Sequence, residues 1–235
     1  MTAPFAMTVS TADGSFGTYV AAPSGEGPFP AVLVIQEIYG VNAVMRGVAD
    51  HFAGSGYLAV CPDLFWRIEP GIDLTDQTDA GNKRAFELFG IFDVDKGVED
   101  IAATLKAIRA DPHCNGKVGA VGYCLGGLLA YLTATRTDVD ASVGYYGVSI
   151  DGRLAEVEKL AAPLMLHIAE EDEFVDKAAQ ARMSAGLGAH PHVTLHTYPD
   201  RSHAFARVGG AHYDAADATL ANGRTEAFFK KALNA

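Results

Sequence analysis

The sequence has few cysteines, and they are poorly placed for disulfides or for metal ligation. Only three occur among 235 residues, Cys61, Cys114 and Cys124, and they are widely spaced. Disulfide frameworks and paired-cysteine metal sites need even numbers of cysteines at close, regular spacing. We therefore expect free thiols in a reducing compartment.

Long apolar runs and early basic residues are also missing. The first Lys or Arg is Arg46, so the start of the sequence lacks the basic segment of a secretory signal. Apolar runs such as 31–35 are far shorter than the roughly 20 residues that cross a bilayer. These two absences predict a cytoplasmic protein that does not enter a membrane.

Positive charge is in short supply. Lys and Arg total 18 against 29 Asp and Glu, which gives a formal net charge of −11. Nucleic acids and anionic membranes attract clustered Lys and Arg, so we expect neither as a partner. A small anion stays possible as a ligand, because one well-placed Arg can bind it at short range.

The sequence also lacks the motifs of common cofactor sites. It has no phosphate-binding glycine loop and no His pair at helical spacing with an intervening Glu. His190 and His192 are two residues apart beside a proline, which is poor support for a zinc site. We expect no cofactor and no metal.

What is present is the composition and pattern of a globular α/β protein. Hydrophobic residues make up 49% and charged residues 20%, and we expect residues 1–235 to form a single domain. Continuous apolar runs alternate with amphipathic stretches, which predicts a mostly parallel sheet flanked by helices on both faces. The predicted strands are 31–35, 57–61, 118–121, 141–145, 163–168 and 193–197, and the predicted helices are 42–54, 84–92, 94–110, 126–135, 177–186 and 213–233. An antiparallel edge is expected within 7–21, and a loop over a site within 67–82.

The strongest local signal is the run Gly122-Tyr123-Cys124-Leu125-Gly126-Gly127. It joins a predicted strand to a predicted apolar helix, as a nucleophile elbow does, and small residues on either side of Cys124 avoid collisions in such a turn. A helix amino terminus also favours the thiolate of Cys124. The alternative is that Cys124 is a small buried core residue. The presence of partner residues later in the chain decides between a catalytic and a structural cysteine.

Two later loops supply partners in the order that this fold uses. Glu170-Glu171-Asp172-Glu173 follows one predicted strand, and His203 follows another. The pattern does not choose among the four acids, and a solvated acidic loop with a surface His is the alternative. Of the other histidines, His167 is expected in the core and His212 at the surface. The ordered set predicts a catalytic triad.

The residues as a whole resemble the dienelactone hydrolases of the α/β-hydrolase superfamily. The matching segments are Gln36-Glu37-Ile38-Tyr39-Gly40-Val41-Asn42, Cys61-Pro62-Asp63-Leu64, 119–127, Gly144-Tyr145-Tyr146-Gly147, Asp172 and Ser202-His203-Ala204-Phe205-Ala206-Arg207. The resemblance implies a monomeric carboxymethylenebutenolidase, which opens a dienelactone to maleylacetate in chloroaromatic degradation. It also selects Asp172 as the acid.

The resemblance further implies a mechanism. Cys124 attacks the lactone carbonyl to form a thioester, and the backbone N–H groups of Leu125 and Ile38 form the oxyanion hole. Glu37 is assigned the proton of Cys124 until substrate displaces it, with a purely structural buried carboxylate as the alternative. His203 then activates water.

The substrate pocket departs from the family. Arg207 matches one of two carboxylate-binding arginines, while Asn82 occupies the position of the other. Either Arg84 or Lys83 substitutes, Asn82 binds more weakly, or the substrate differs. Four aromatic residues are further expected to line the pocket: Tyr39, Phe86, Phe89 and Tyr145. The alternative functions are a related carboxylesterase or thioesterase for a small neutral ester, and a noncatalytic ligand-binding or redox-sensing domain.

Overall fold

The computed structural model describes residues 7–233. The chain divides into two compact units between Gly119 and Ala120, inside the strand Cys114–Tyr123. The prediction of one domain over the whole chain stays a prediction.

Strands and helices alternate along the described residues, which confirms the α/β class. The strands are β1 (Met7–Thr11), β2 (Gly14–Ala21), β3 (Phe29–Ile35), β4 (Leu58–Pro62), β5 (Cys114–Tyr123), β6 (Ala141–Tyr145), β7 (Leu164–Ala169) and β8 (Val193–Tyr198). The helices are α1 (Ala43–Gly54), α2 (Asp79–Ile91), α3 (Val94–Ala110), α4 (Leu125–Arg136), α5 (Lys177–Leu187), α6 (Ala215–Leu233) and the 3₁₀ helix Ile150–Lys159. The strand order is β1-β2-β4-β3-β5-β6-β7-β8.

In the first unit, the predicted antiparallel edge is confirmed. Strands β1 and β2 pair antiparallel with Met7 opposite Thr18, and β2 pairs antiparallel with β4. Strand β3 runs parallel to β4, and its residues 31–35 are completely buried. An apolar run without alternation suits a strand that is covered on both faces.

Helix α2 begins five residues earlier than the sequence pattern predicted, at Asp79 rather than Arg84. The Thr78 side chain caps it by accepting a hydrogen bond from the Gly81 N–H at 3.1 Å. Its first turn is small and polar, so the turn lacks the apolar periodicity that predicts a helix, and the cap decides where it starts.

The segment before α2 packs onto the residues that follow β3. Gly40 and Asp73 form an isolated antiparallel bridge, and the Asn42 side chain donates a hydrogen bond to the Leu74 carbonyl at 3.0 Å. The loop predicted within 67–82 therefore covers residues 39–42 in the first unit, although its last residues belong to α2.

In the second unit, β6, β7 and β8 form a parallel group, with Ser142 opposite Leu164 and Leu164 opposite Val193. Residues 125–135 of helix α4 are all buried, which fits its apolar character on every side. The 3₁₀ helix Ile150–Lys159 was not predicted, although Ile150, Leu154 and Val157 recur at helical spacing within its otherwise polar sequence.

Candidate active site

Cys124 occupies a strained turn between β5 and α4. Its φ of 58° and ψ of −115° lie where residues with a side chain are uncommon. The surrounding backbone holds this conformation, since the Cys124 N–H donates to the Tyr145 carbonyl at 3.1 Å and its carbonyl accepts from the Gly127 N–H at 2.9 Å. Such strain persists only where neighbouring structure enforces it, and it is typical of active sites.

The glycines around Cys124 are required by close backbone approaches. A Cβ atom on Gly122 would lie 1.9 Å from the Gly126 carbonyl oxygen, and one on Gly127 would lie 2.6 Å from the Gly147 Cα. Neither backbone neighbour can move aside as a flexible side chain could. The elbow predicted from Gly122 and Cys124 is therefore the observed geometry.

Asp172 and His203 form a buried pair on the loops that follow β7 and β8. The Nδ1 of His203 lies 2.8 Å from the Asp172 Oδ2, and both side chains are buried. Because a carboxylate accepts here, Nδ1 carries the proton and Nε2 is the atom left for the nucleophile. The other Asp172 oxygen accepts from the Phe174 N–H at 2.9 Å, which fixes the carboxylate.

The structure distinguishes the four neighbouring acids that the sequence left open. Asp172 alone among them binds the His203 ring. Glu171 pairs with Lys177 at 2.8 Å, and Glu173 accepts a hydrogen bond from the His203 backbone N–H at 3.3 Å. The Glu170 backbone carbonyl accepts from Lys177 and from Gln180.

The pKa of His203 is raised from 6.5 to about 10 by its two partners in spite of burial. Burial lowers this pKa, but the hydrogen bond to Asp172 and the neighbouring Cys124 outweigh it. The Nε2 of His203 has no hydrogen bond of good geometry among the described residues, so we attribute the effect of Cys124 to the nearness of its sulfur. His203 is therefore an imidazolium at neutral pH.

Two aromatic rings that the sequence did not single out pack against His203. The ring centroids of Tyr146 and Phe174 lie 5.0 and 4.9 Å from that of His203, both edge-on. Tyr146 was available in the matched Gly144-Tyr145-Tyr146-Gly147 run, and Phe174 as an aromatic residue two positions after the acid.

Tyr145 does not suit the predicted contact with substrate. It is completely buried, and its hydroxyl contacts the Thr225 hydroxyl at 2.6 Å and the Asn222 Oδ1 at 3.0 Å, both on helix α6. Tyr145 is the last residue of β6, whereas Tyr146 follows the strand with a φ of 38°, and the sequence did not show which tyrosine faces the site. Tyr146 is the one that lies beside His203.

The remaining predicted residues of the second unit are Leu125 and Arg207. Leu125 begins α4, so its backbone N–H lies in the first turn, where helical N–H groups lack partners within the helix. Arg207 is buried, and its N–H donates to the Ala204 carbonyl at 2.9 Å on the loop that carries His203. Their roles in catalysis and binding stay predictions.

In the first unit, Glu37 and Ile38 come one residue after the end of β3, and both are buried. Tyr39 donates its hydroxyl proton to the Asn82 Oδ1 at 2.8 Å, and the Asn82 Nδ2 donates to the Asp76 carbonyl at 3.1 Å. The oxygen and the nitrogen of the Asn82 amide are therefore both engaged inside the protein.

The predicted substitute cation, Arg84, is held by carboxylates. Its guanidinium lies 2.7 Å from Glu69 and 3.2 Å from Glu87. Phe86 is exposed and Phe89 half-buried on the same helix. Because both groups are bound to protein partners, neither the Asn82 amide nor Arg84 takes the place of the family's second carboxylate-binding arginine.

A cysteine on a sharp strand-to-helix turn, followed in the chain by a buried Asp–His pair on later loops, defines an α/β-hydrolase. A crystal structure from Klebsiella pneumoniae, provisionally called a dienelactone hydrolase, has the same fold, with a TM-score of 0.83 at 24% identity over 94% of this chain and 95% of the other.

The chain belongs to the dienelactone hydrolase family, whose sequence model matches residues 16–233. A protein of Azospirillum brasilense provisionally called a carboxymethylenebutenolidase is 48% identical, over 94% of this chain and 95% of its own. The carboxymethylenebutenolidase of Pseudomonas putida is 40% identical, over 93% and 92%. Together they make this protein an ester or lactone hydrolase.

Residues 7–233 contain neither a metal-binding cluster nor a membrane-spanning helix. No group of three or more His, Cys, Asp or Glu side chains there is arranged to hold a metal ion. No helix in the same range is both long and apolar enough to span a bilayer.

Proposed function

We propose that this protein hydrolyses a lactone ring, of the dienelactone-to-maleylacetate type, in the degradation of chlorinated and other aromatic compounds. Cys124 is the nucleophile, His203 the acid and base, and Asp172 the residue that orients His203. The supporting observation is the buried Asp172–His203 pair, in which the Nδ1 of His203 lies 2.8 Å from the Asp172 Oδ2 and the neighbouring Cys124 helps to raise the pKa of His203. The names of the 48% and 40% identical relatives support the lactone.

Attack by the Cys124 thiolate on the lactone carbonyl begins the proposed reaction. The new C–S bond forms as the carbonyl π electrons move to oxygen, where the N–H groups of Leu125 and Ile38 would receive them. Collapse of this intermediate breaks the ring C–O bond, leaving a thioester on Cys124 and an enolate on the opened chain. Water then cleaves the thioester to a carboxylate and restores Cys124.

Acylation itself would change His203 from an acid to a base. The sulfur of Cys124 is one of the groups that raise the pKa of His203. Once that sulfur is a neutral thioester, its charge no longer stabilises the imidazolium, and His203 can give its proton to the departing enolate. The neutral imidazole then accepts a proton from the attacking water.

The most direct test uses the purified protein with cis- and trans-dienelactone. We expect loss of the lactone absorbance with wild type and no turnover with Cys124→Ala. Cys114→Ala is the matched control, because it removes another buried thiol, at the opposite end of β5 from the elbow. A Cys124→Ala protein that still turns over the lactone contradicts the proposal.

For Glu37 we keep the role that the family resemblance implies, as acceptor of the Cys124 proton. Its burial right after β3 fits a carboxylate with a defined partner rather than a solvated surface acid. Glu37→Gln tests this role, because it keeps the size and removes the acceptor charge. We expect slower alkylation of Cys124 and slower turnover, since the variant lacks the carboxylate that takes the proton of the thiol. An unchanged alkylation rate together with unchanged turnover contradicts this role.

A second candidate, a carboxylesterase or thioesterase for a small neutral ester, is favoured by one observation. The Asn82 amide is bound on both sides, by Tyr39 and by Asp76, and Arg84 is paired with acids. A substrate carboxylate would therefore have Arg207 and the exposed Lys83 as its remaining predicted cations.

Asn82→Arg decides between the two candidates on a panel of dienelactones and neutral short-chain esters. A rise in kcat/KM on the anionic lactones alone favours the lactonase with a weakened anion site. The esterase is favoured if the wild-type protein prefers neutral esters and if Arg207→Ala leaves their turnover unchanged. The anionic charge of the substrate, a monomeric state and a cytoplasmic location stay part of the first proposal.

A further inference from the structure

The backbone of His203 is bound from two sides by side chains. Its N–H donates to the Glu173 Oε2 at 3.3 Å, and its carbonyl oxygen lies 3.0 Å from the His212 Nδ1. A carbonyl only accepts, so the His212 Nδ1 carries the hydrogen of that bond. The same nitrogen lies 3.9 Å from the Glu173 Oε1, so the two residues are also close to each other.

The backbone hydrogen bonds that hold the loop around His203 fall on its neighbours: the Arg207 N–H donates to the Ala204 carbonyl and the Asp214 N–H to the Phe205 carbonyl. His203 lies after β8 in a loop, where no helix or strand ladder fixes the backbone. The next residue, Ala204, has a φ of 62°, in the left-handed region that residues with a side chain rarely adopt. Asp172 orients the imidazole ring but contacts only its Nδ1.

We propose that Glu173 and His212 are positioning residues that hold the backbone of His203, and through it the imidazole, at the nucleophile. Asp172 and Glu173 are adjacent, so one turn after β7 binds both the ring and the backbone of His203. The inference rests on the proposed function, because it needs His203 to act on Cys124. Small displacements of a catalytic group lower rates strongly.

The test compares truncated with isosteric variants. Glu173→Ala and His212→Ala each remove one backbone contact, and we expect kcat to fall by about tenfold with KM little changed. Glu173→Gln keeps an acceptor oxygen and His212→Asn keeps a donor close to the Nδ1 position, so both should regain most of the activity. Isosteric variants as slow as the alanine variants overturn the proposal.

Glu171→Ala and His113→Ala are the matched controls. Glu171 belongs to the same acidic run but pairs with Lys177, and His113 is an exposed His bound to Asp111. Both controls should keep wild-type rates. A control that loses as much activity as its test variant shows that the loss is not specific to the His203 backbone, and overturns the proposal.

A second measurement does not need turnover. The rate at which iodoacetamide alkylates Cys124, followed by peptide mass spectrometry from pH 6 to 9, reports the thiolate that His203 supports. We expect slower alkylation near neutral pH in both alanine variants and recovery in the isosteric pair. Wild-type alkylation profiles in the alanine variants overturn the proposal. If wild type hydrolyses no ester or lactone but the alanine variants still alkylate slowly, the proposed function fails and the positioning role stands.

The wild-type protein provides a test that no folding defect can disturb. A His203 amide that donates to Glu173 should exchange its hydrogen slowly in NMR, despite its place in a loop. Fast exchange of that amide, as in a solvated loop, contradicts the proposal.

Discussion

Two buried histidines of the second unit have opposite ionisation, and the cause lies in their partners. The pKa of His203 is raised to about 10, whereas the pKa of His167 is lowered well below 6.5. Burial lowers the pKa of both rings. His203 has a carboxylate and a thiol as neighbours, while His167 contacts two hydroxyls, those of Tyr198 and Thr225. A charged partner therefore accounts for the opposite directions of the two pKa shifts.

The contacts of His167 fix its neutral tautomer. Arg224 donates to the Tyr198 hydroxyl at 3.1 Å, so that hydroxyl gives its own proton to the His167 Nδ1 at 2.7 Å. The proton of the neutral ring is then on Nε2 and goes to the Thr225 oxygen at 3.0 Å. Arg224 and the neighbouring His196 also disfavour a charge on His167.

The same chain of hydrogen bonds continues to Tyr145. Thr225 accepts from His167, so its proton goes to the Tyr145 hydroxyl at 2.6 Å, which donates to Asn222 at 3.0 Å. Burial raises the pKa of Tyr145 well above 10, which keeps it a donor. This cluster joins β6, β7 and β8 to α6 and stays uncharged.

Replacing the charged partner should remove most of the difference between the histidines and nearly all of the activity. Asp172→Asn keeps the shape but removes the charge, so the pKa of His203 should fall and the wrong tautomer should form. We expect kcat to drop by roughly 10⁴-fold, as estimated for the loss of a triad acid. Steady-state kinetics on the best substrate measures it, and a loss below about tenfold contradicts the role of Asp172.

The two histidines should also give stability opposite dependences on pH. A raised pKa in the folded state means that His203 contributes stability fully below about pH 6.5 and loses it as the pH rises toward 10. The difference in unfolding free energy between wild type and Asp172→Asn should therefore shrink from pH 6.5 to pH 10. Urea denaturation at pH 6.5 and at pH 10 measures this difference, and a difference that grows with pH contradicts the prediction.

His167→Phe should reduce stability far more than activity. It leaves the Tyr198 and Thr225 hydroxyls without their His partner, at a cost of about 2–4 kcal/mol in the free energy of unfolding. The folded-state pKa of His167 is depressed, so its contribution is present above about pH 6.5 and lost as the pH falls. The penalty should therefore narrow below pH 6.5. His192→Phe, at an exposed position, is the control.

Tyr198→Phe should give the smallest effect. It removes one donor to His167 and one acceptor for Arg224 and leaves Thr225 in place. We expect a loss of about 1–2 kcal/mol in the free energy of unfolding. Thermal and urea denaturation measure it, and a loss larger than that of His167→Phe shows that His167 does not link the cluster.

The sequence predicted those parts of the fold and site that local chemistry determines. Gly122 and Gly127 mark the elbow because backbone atoms occupy the space of their Cβ atoms. The early start of α2 was missed because the Thr78 cap, and not an apolar stripe, sets it. The 3₁₀ helix Ile150–Lys159 was missed although Ile150, Leu154 and Val157 recur at helical spacing, because the segment is short and mostly polar.

Contacts between distant segments could not be predicted. The residue pattern left four adjacent acids open and only the family resemblance selected Asp172, because the contact joins it to a loop 31 residues later. Tyr145 reaches α6 whereas Tyr146 lies beside His203, because the chain turns at Tyr146 directly after β6. His212, expected at the surface, is indeed about half exposed, yet it binds the His203 carbonyl.

The most direct test of the central claim is an NMR titration of both imidazole rings in the wild-type protein between pH 5 and 10. We predict that His203 is protonated on both nitrogens at neutral pH and becomes neutral only as the pH approaches 10, while His167 stays neutral throughout. A His203 that titrates at or below its ordinary pKa of 6.5 contradicts the claim that Asp172 and Cys124 hold it as the imidazolium of a catalytic site.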